Sequence, residues 1–387
     1  MREGRLLKIL SFSYCFPNER NPSWGVFVCQ RLAALAELEE LQVCSPVPWF
    51  PLLKPKILST GPEPWQGLTV HRPGFFYLPG LMKNADARFY ARGLRSWLKT
   101  FCRSWRPDLL DAHFIWPDGV GVAALAKEFG IPYAITLRGK IYECLKVPEQ
   151  ARQCAEALRG AAAVISVSSR MADEALKLGA DGRRLHVITN GVDLDHFRPR
   201  DRADCRRQLG LPEGGRLLVT VAHLGARKGH HEMIRALARL PEDVSLVIVG
   251  GEAQGGTTGQ LREIARSLGV GDRLILPGSQ PYDRIPLYFG AANGSVLASY
   301  REGCPNAVLE SLACGIPVVA TDVGAVPDIL PVPEAGRIVP VRQEGPLCDA
   351  IAELLDREWK PDEVVRRSGV RSWKRVAEEV RLVFQSI

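Results

Sequence analysis

The sequence predicts an α/β protein made of two successive parallel-sheet units. Two observations carry that expectation: short apolar, β-branched strands alternate with helical patterns along the chain, and a polar stretch at residues 198–207 divides the alternation into two series. At 387 residues the chain is also long for one hydrophobic core, and a domain size of about 100 to 200 residues makes two units the natural number.

In the first series the predicted strands are residues 7–12, 41–44, 109–114, 133–137, 162–167 and 185–189. In the second they are 217–221, 245–249, 273–276, 295–298, 317–320 and 336–339. Two Rossmann-like units follow, divided at 198/199 with a hinge near residues 197–204. Ligands of open parallel sheets bind beyond the carboxyl ends of the strands, so two such sheets facing a central cleft would bring two ligands together.

The best-punctuated element is the helix predicted over residues 305–314. Pro305 suits the first helical position, Val308/Leu312 and Leu309/Ala313 repeat at i+4, Gly315 closes the helix and Pro317 prevents continuation. Neither Gly303 nor Cys304 is a strong side-chain cap, which leaves the amides around Asn306 to Val308 for a ligand. One acid, Glu302, stands in the entry loop and another, Glu310, within the helix, where carboxylates suit pairs of hydroxyls. Arg227 and Lys228 precede Gly229 just after strand 217–221, a place where two cations suit a diphosphate. In a purely structural role, cations at a helix start would oppose its dipole.

Composition bounds the alternatives. Hydrophobic content of 46% and charged content of 24% suit a soluble globular protein, and without an apolar run of 18 residues or a signal-peptide core the chain is expected in the cytoplasm. The cysteines include no Cys-x2-Cys pair and the histidines lack ligand spacing, so reduced core thiols and neither metal nor cofactor are expected. A net charge of +7 fits an anionic partner, yet no recognition helix, zinc-finger spacing or aromatic-basic motif points to nucleic acid. The first strand is not followed by Gly-x-Gly-x2-Gly, which argues against a dinucleotide oxidoreductase.

The segment Ser-x2-Glu-Gly-x-Pro-Asn-x3-Glu-x2-Ala-x-Gly-x-Pro-Val-Val-Ala-Thr, residues 299–321, resembles the donor-site signature of the retaining family 4 glycosyltransferases of the GT-B fold. Asn190-Gly-Val-Asp193 and Val221-Ala-His-Leu-Gly-Ala-Arg-Lys-Gly229 resemble two further family segments, the second its donor-phosphate loop. The resemblance extends from about Leu7 to Phe384 and is densest over residues 164–324. It implies a hexosyltransferase using a nucleotide-sugar donor and a carbohydrate or lipid-linked acceptor, expected in surface polysaccharide or glycolipid synthesis. Rival readings are a nucleotide-sugar-binding protein without transfer activity and a GT-B sugar epimerase.

By the same resemblance Glu310 would hold the donor ribose and Glu302 the donor sugar. Gly303, Cys304, Pro305, Asn306 and Ala307 would line the donor, although Pro305 has no amide hydrogen to give. Ser23-Trp-Gly25-Val resembles the family's glycine loop under the diphosphate, and His113-Phe-Ile-Trp-Pro117 its His-x3-Pro segment. Two positions depart from the pattern: Arg138 stands where many relatives have a histidine that contacts the transferred sugar, and His223-Leu224 where an arginine is common. The tail places Trp373, Val376, Val380 and Val383 on one stripe and resembles the family's last helix, so residues 372–387 are expected to complete the first unit. Residues 88–106 form an amphipathic helix with Leu94, Leu98, Phe101 and Trp105 on one side; it reads either as a sheet-packing helix with a wet basic face or as a peripheral contact with an anionic membrane. The preceding apolar run 75–82 is a candidate cover for a lipid-linked acceptor.

Overall fold

A computed structural model of the chain describes residues 5–50, 61–252 and 257–387. The chain divides into two compact units, one comprising the described residues up to Asn190 together with Trp373–Ile387, the other Gly191–Ser372. The division thus falls at 190/191, upstream of the hinge expected near 197–204.

In the first unit the elements run β1 (Lys8–Phe12), α1 (Val26–Ala36), β2 (Glu40–Cys44), β3 (Val47–Trp49), β4 (Glu63–Trp65), β5 (Leu68–His71), β6 (Gly74–Phe76) and α2 (Asp86–Ser104). They continue with β7 (Leu109–His113), α3 (Val120–Phe129), β8 (Tyr133–Leu137), α4 (Ile141–Cys144), α5 (Pro148–Gly160), β9 (Ala163–Ser166), α6 (Ser169–Lys177) and β10 (Leu185–Val187). The main sheet has the order β10-β9-β8-β7-β1-β2-β5-β4, parallel except for β4, which is antiparallel to β5. Its middle strands β7, β8 and β9 are buried along their whole length, as parallel strands covered on both faces must be.

The second unit contains α7 (Arg202–Leu209), β11 (Arg216–Val221), α8 (His230–Arg239), β12 (Val244–Val249), α9 (Thr257–Ser267), β13 (Leu274–Gly278) and α10 (Ile285–Ala291). It goes on with β14 (Gly294–Leu297), α11 (Asn306–Ala313), β15 (Val318–Thr321), α12 (Val326–Ile329), β16 (Gly336–Val339), α13 (Glu344–Asp356) and α14 (Pro361–Ser368). Its sheet order, β13-β12-β11-β14-β15-β16, is parallel throughout. The parallel strands of each sheet reverse their order once, between β1 and β7 in the first unit and between β11 and β14 in the second. Those reversals are where loops diverge and leave room for a ligand.

The last helix, α15 (Trp373–Gln385), belongs to the first unit. Trp373, Val376, Val380 and Val383 all lie in one buried cluster with Ile9, Leu35, Leu109 and Ile165. Glu39, at the end of α1, fastens it from the polar side. Its Oε1 accepts from Arg381 Nε at 2.8 Å and from Gln385 Nε2 at 3.0 Å, while Oε2 accepts from the Leu7 amide at 2.5 Å.

The amphipathic helix has become α2. Leu94 and Leu98 are buried, Trp97 stacks on Phe101 at 5.0 Å, and the His71 ring meets Phe101 at 5.1 Å. This packing accounts for its apolar stripe and leaves Arg92, Arg95, Lys99, Arg103 and Arg106 exposed. The apolar run 75–82 splits in two: Phe75 is buried against Tyr90, whereas Leu81 and Met82 are exposed. Among the described residues no helix is long and apolar enough to cross a membrane.

The packing of α15 carries a stability prediction. Trp373→Ala removes a nearly buried indole from the cluster that joins the chain end to the first sheet, and should cost about 3 to 5 kcal/mol. Urea unfolding of the full chain reads this directly; a loss below about 1 kcal/mol would mean that α15 does not close the first unit.

Candidate active site

In the second unit the loops that follow β11, β14 and β15 meet at the carboxyl edge of the sheet, on both sides of the strand reversal. Their backbones approach so closely that only glycine fits at two points. Gly229 has φ +64° and a Cβ there would lie 2.1 Å from the Ala298 carbonyl oxygen. Gly324 has φ +52° and a Cβ would lie 2.3 Å from the Gly303 oxygen. The Ala325 amide donates to that same Gly303 oxygen at 2.8 Å, and the Tyr300 amide donates to the Arg227 oxygen at 2.8 Å.

This convergence puts Lys228 and Glu302 in direct contact, although 74 residues separate them: Lys228 Nζ donates to Glu302 Oε1 at 2.6 Å. Both side chains are partly buried, at 24% and 14% exposure, so the pair is held firmly while remaining open to a ligand. Arg227 is exposed beside Lys228, immediately before α8.

Sequence reasoning did not single out Tyr300, which ties this edge together. Its hydroxyl donates to Glu232 Oε1 and lies 3.0 Å from His231 Nε2, both on the first turn of α8, while the Arg342 guanidinium covers its ring at 4.5 Å. The available signal was its place between two motif residues, Ser299 and Glu302. At the second departure from the family pattern, His223 is exposed, and its carbonyl accepts from the buried His230 Nε2 at 3.3 Å. Leu224 is buried.

The helix predicted at 305–314 is α11. Pro305 is its N-cap in extended conformation, not the first helical residue, because φ −76° and ψ 103° place it outside the helix. The Val308 amide is also not left for a ligand, since it donates to the Pro305 oxygen at 3.1 Å. Gly303, Cys304, Asn306 and Ala307 remain partly exposed around the helix start, whereas Pro305 is buried. Glu310 lies half-buried on the second turn, and desolvation raises its carboxyl to about 7.

At the reversal in the first unit, Gly25 caps α1 at φ +74°, where a Cβ would lie 2.2 Å from the Cys15 oxygen. Here His113 and Arg138 meet. Arg138 Nε donates to His113 Nδ1 at 3.2 Å, and its Nη1 donates to Asn190 Oδ1 at 2.9 Å. With Nδ1 accepting, His113 is the neutral tautomer that donates from Nε2 to Asp111 Oδ2 at 3.0 Å. Burial depresses its pKa to about 4 despite the neighbouring Asp111 carboxylate.

His113 is completely buried, and both ring nitrogens are engaged, Nε2 with Asp111 and Nδ1 with Arg138. Sequence reasoning also missed Asp111 and Asp118. Burial raises Asp118 to about 8; its Oδ1 accepts from the Tyr90 hydroxyl at 2.7 Å and from the Tyr14 amide at 3.1 Å.

Two parallel sheets with these reversals define the GT-B class, and solved structures agree. The chain is similar to sucrose-phosphate synthase from Thermosynechococcus elongatus, with a TM-score of 0.79 at 21% identity and 98% of each chain covered. It is also similar to Anabaena HepE solved with UDP, with a TM-score of 0.79 at 19% identity, covering 98% of this chain and all of that one. At these identities the likeness concerns the fold.

Sequence comparisons go further. The family model for glycosyltransferase family 4 matches residues 26–196, and that for glycosyl transferases group 1 matches residues 201–369. The Bacillus subtilis protein TuaC, provisionally named a teichuronic acid biosynthesis glycosyltransferase, is 30% identical over 373 residues, 92% of this chain and 91% of its own. A D-inositol 3-phosphate glycosyltransferase of Acidothermus cellulolyticus is 32% identical over 272 residues, 64% of this chain and 60% of its own. The chain therefore belongs to the group 1, family 4 glycosyltransferases and is a transferase.

The raised Glu310 carboxyl gives a pH signature. A folded pKa above the unfolded value of 4.5 favours the folded state fully below pH 4.5, and that contribution is lost as pH rises through about 7. Glu310→Gln should therefore match wild type in Tm near pH 4.5 and exceed it at pH 8. Equal Tm values at both pH values would show that Glu310 is not desolvated.

Proposed function

We propose that this transferase moves a hexose from a nucleoside diphosphate sugar to a hydroxyl acceptor with retention at the anomeric carbon. The observation that carries the reading is the Lys228–Glu302 contact at the strand reversal of the second unit, with Arg227 beside it and Glu310 on the adjoining helix. A carboxylate and two cations at one sheet edge suit a sugar joined to a diphosphate: Glu302 accepts from sugar hydroxyls, Arg227 and Lys228 bind phosphate oxygens, and Glu310 accepts from the ribose. The anomeric carbon loses its bond to the diphosphate oxygen and gains one to the acceptor oxygen, while the acceptor's proton passes to the departing diphosphate. Fixed cations and aligned reactants supply the catalysis, with no metal required.

The HepE structures hold UDP and UDP-glucose, which supports a nucleotide-sugar donor, and TuaC is named for teichuronic acid biosynthesis, which supports a role in surface polysaccharide or glycolipid synthesis. The site would work on the cytoplasmic side, with the basic face of α2 against acidic lipid. In low salt the protein should sediment with vesicles containing phosphatidylglycerol, and no sedimentation would remove the membrane contact.

A thermal-shift screen over nucleotide sugars tests the donor. A true donor at about 100 times its Kd adds roughly 2.7 kcal/mol of stability. No shift with any donor would overturn the reading. Lys228→Ala should then lower kcat at least about a hundredfold, an effect of the size seen when one charge-stabilising donor is removed. A folded variant with normal turnover would exclude Lys228 from the chemistry. Arg138 favours a second reading, a binder without transfer, because a guanidinium cannot accept a proton; a binder would protect the donor from cleavage, whereas an enzyme hydrolyses it slowly without acceptor.

A further inference from the structure

Tyr300 joins the loops of the second unit's candidate site, and the transfer reaction gives it no task of its own. It stands after β14, two residues before Glu302. From there it holds the loop that carries Arg227 and Lys228 on both sides. Its amide donates to the Arg227 oxygen at 2.8 Å, inside the loop. Its hydroxyl passes over the loop to the first turn of α8, where it donates to Glu232 Oε1 and lies 3.0 Å from His231 Nε2. His231 Nε2 is also 3.2 Å from Glu232 Oε2, so both neighbours accept and Nε2 is the nitrogen that carries the proton. Between these anchors the chain makes only the short turn Ala226–Lys228.

Two features separate this link from ordinary surface packing. Glu232 is 7% exposed, so a carboxylate that could stand in water at the start of a helix has been brought inside to meet the Tyr300 hydroxyl. Desolvation, then the Glu232 carboxylate, raise that hydroxyl to about 12, which keeps it a donor throughout the neutral range. Arg342, in the loop after β16, has φ +60°, a left-handed backbone in which a side chain is strained, and its guanidinium lies 4.5 Å from the centre of the Tyr300 ring. A glycine would hold that backbone without strain but would leave the ring uncovered. Such strain persists where the surrounding structure fixes it, and it collects at ligand sites.

We propose that Tyr300 and Glu232 are positioning residues for the donor: the hydrogen bond between them fixes the loop of Lys228, so that its ammonium stands ready for a phosphate oxygen. This rests on the glycosyl-transfer reading above. A lysine is a point charge on a flexible stem, and ordering it at the moment of binding would subtract from affinity. A loop tied on both sides meets that cost during folding. The contact of Lys228 Nζ with Glu302 Oε1 at 2.6 Å then sets the direction of the ammonium and leaves its other N–H donors for phosphate. Neither Tyr300 nor Glu232 need touch the donor; both act through Lys228.

Isothermal titration calorimetry on the full-length chain tests this, with inorganic pyrophosphate, UDP, ADP and GDP as diphosphate probes. Tyr300→Phe removes the hydroxyl and keeps the ring under Arg342, while Glu232→Ala removes the acceptor. Each should weaken the tightest-binding probe at least about fivefold in the otherwise unchanged chain, and less than about twofold in a Lys228→Ala background. A purely structural loss would be the same in both backgrounds. The two variants cut one bond from opposite ends, so if one does not fold the other decides. Unchanged affinity in the folded variants, or equal losses with and without Lys228, would overturn the proposal and leave the donor reading in place. If the unchanged chain binds none of the four probes, the donor reading falls and this proposal with it.

Discussion

The candidate site edge of the second unit depends on a steric constraint: three loops cross with less space between their backbones than a methyl group needs. At Gly229 the chain passes against the Ala298 carbonyl, and at Gly324 against the carbonyls of Glu302 and Gly303. Any other residue would force the loops apart and strain a left-handed backbone. Because they lie so close, Lys228 and Glu302 meet at 2.6 Å without long flexible reaches, and Tyr300 can join Arg227 by its amide and α8 by its hydroxyl. The electrostatics are thus a result of backbone geometry, and a ligand meets charges whose ordering cost was met during folding.

Stability is surrendered where those groups are placed. Glu310 and Asp118 are both raised by desolvation, and Arg31, 2% exposed, keeps its guanidinium in the core with Thr136 Oγ1 at 2.8 Å and Asp111 Oδ2 at 4.0 Å. Desolvating an ionisable group is rarely repaid, whether it stays charged as Arg31 does or is held protonated at neutral pH as Asp118 is, so each of these positions costs stability. The large apolar clusters beneath both sheets, and α15 against the first, supply the compensation.

Much of this was legible in the sequence, for identifiable reasons. Apolar parallel strands announce themselves as short runs between helical patterns, and residues 133–137 and 336–339 agree with β8 and β16 to the residue. The stripe Trp373, Val376, Val380 and Val383 is likewise a direct consequence of helical period. Strands β3, β4 and β6 were missed because each combines a length of three residues with Pro or Gly, and β5 because it alternates buried with exposed residues and so lacks a continuous apolar run. The Pro305 position was misread by one step because proline fits both N1 and an extended cap. Asp111 and Asp118 were invisible for another reason: each acts on partners distant in sequence, Asp111 through Ser11 and Arg31, Asp118 through Tyr14 and Tyr90.

Arg138 shows how one departure from a family pattern alters the physics of a site. A histidine there would exchange a proton near neutral pH, but the guanidinium stays charged throughout. Its support is equally insensitive. With a pKa near 4, His113 remains neutral across the physiological range, its Nδ1 lone pair stays available to Arg138, and Asp111, held near 2 by the sum of its contacts with His113, Arg31 and Ser11 against the cost of burial, remains a carboxylate. The Asp111–His113–Arg138–Asn190 series therefore holds one hydrogen-bonding state from about pH 5 up through neutral pH, above the His113 and Asp111 transitions. Glu310, by contrast, titrates near 7 in the other unit. Dependence on pH in the neutral range should therefore enter through Glu310 on α11 and through Asp118, which burial raises to about 8, and not through the Asp111–His113–Arg138–Asn190 series.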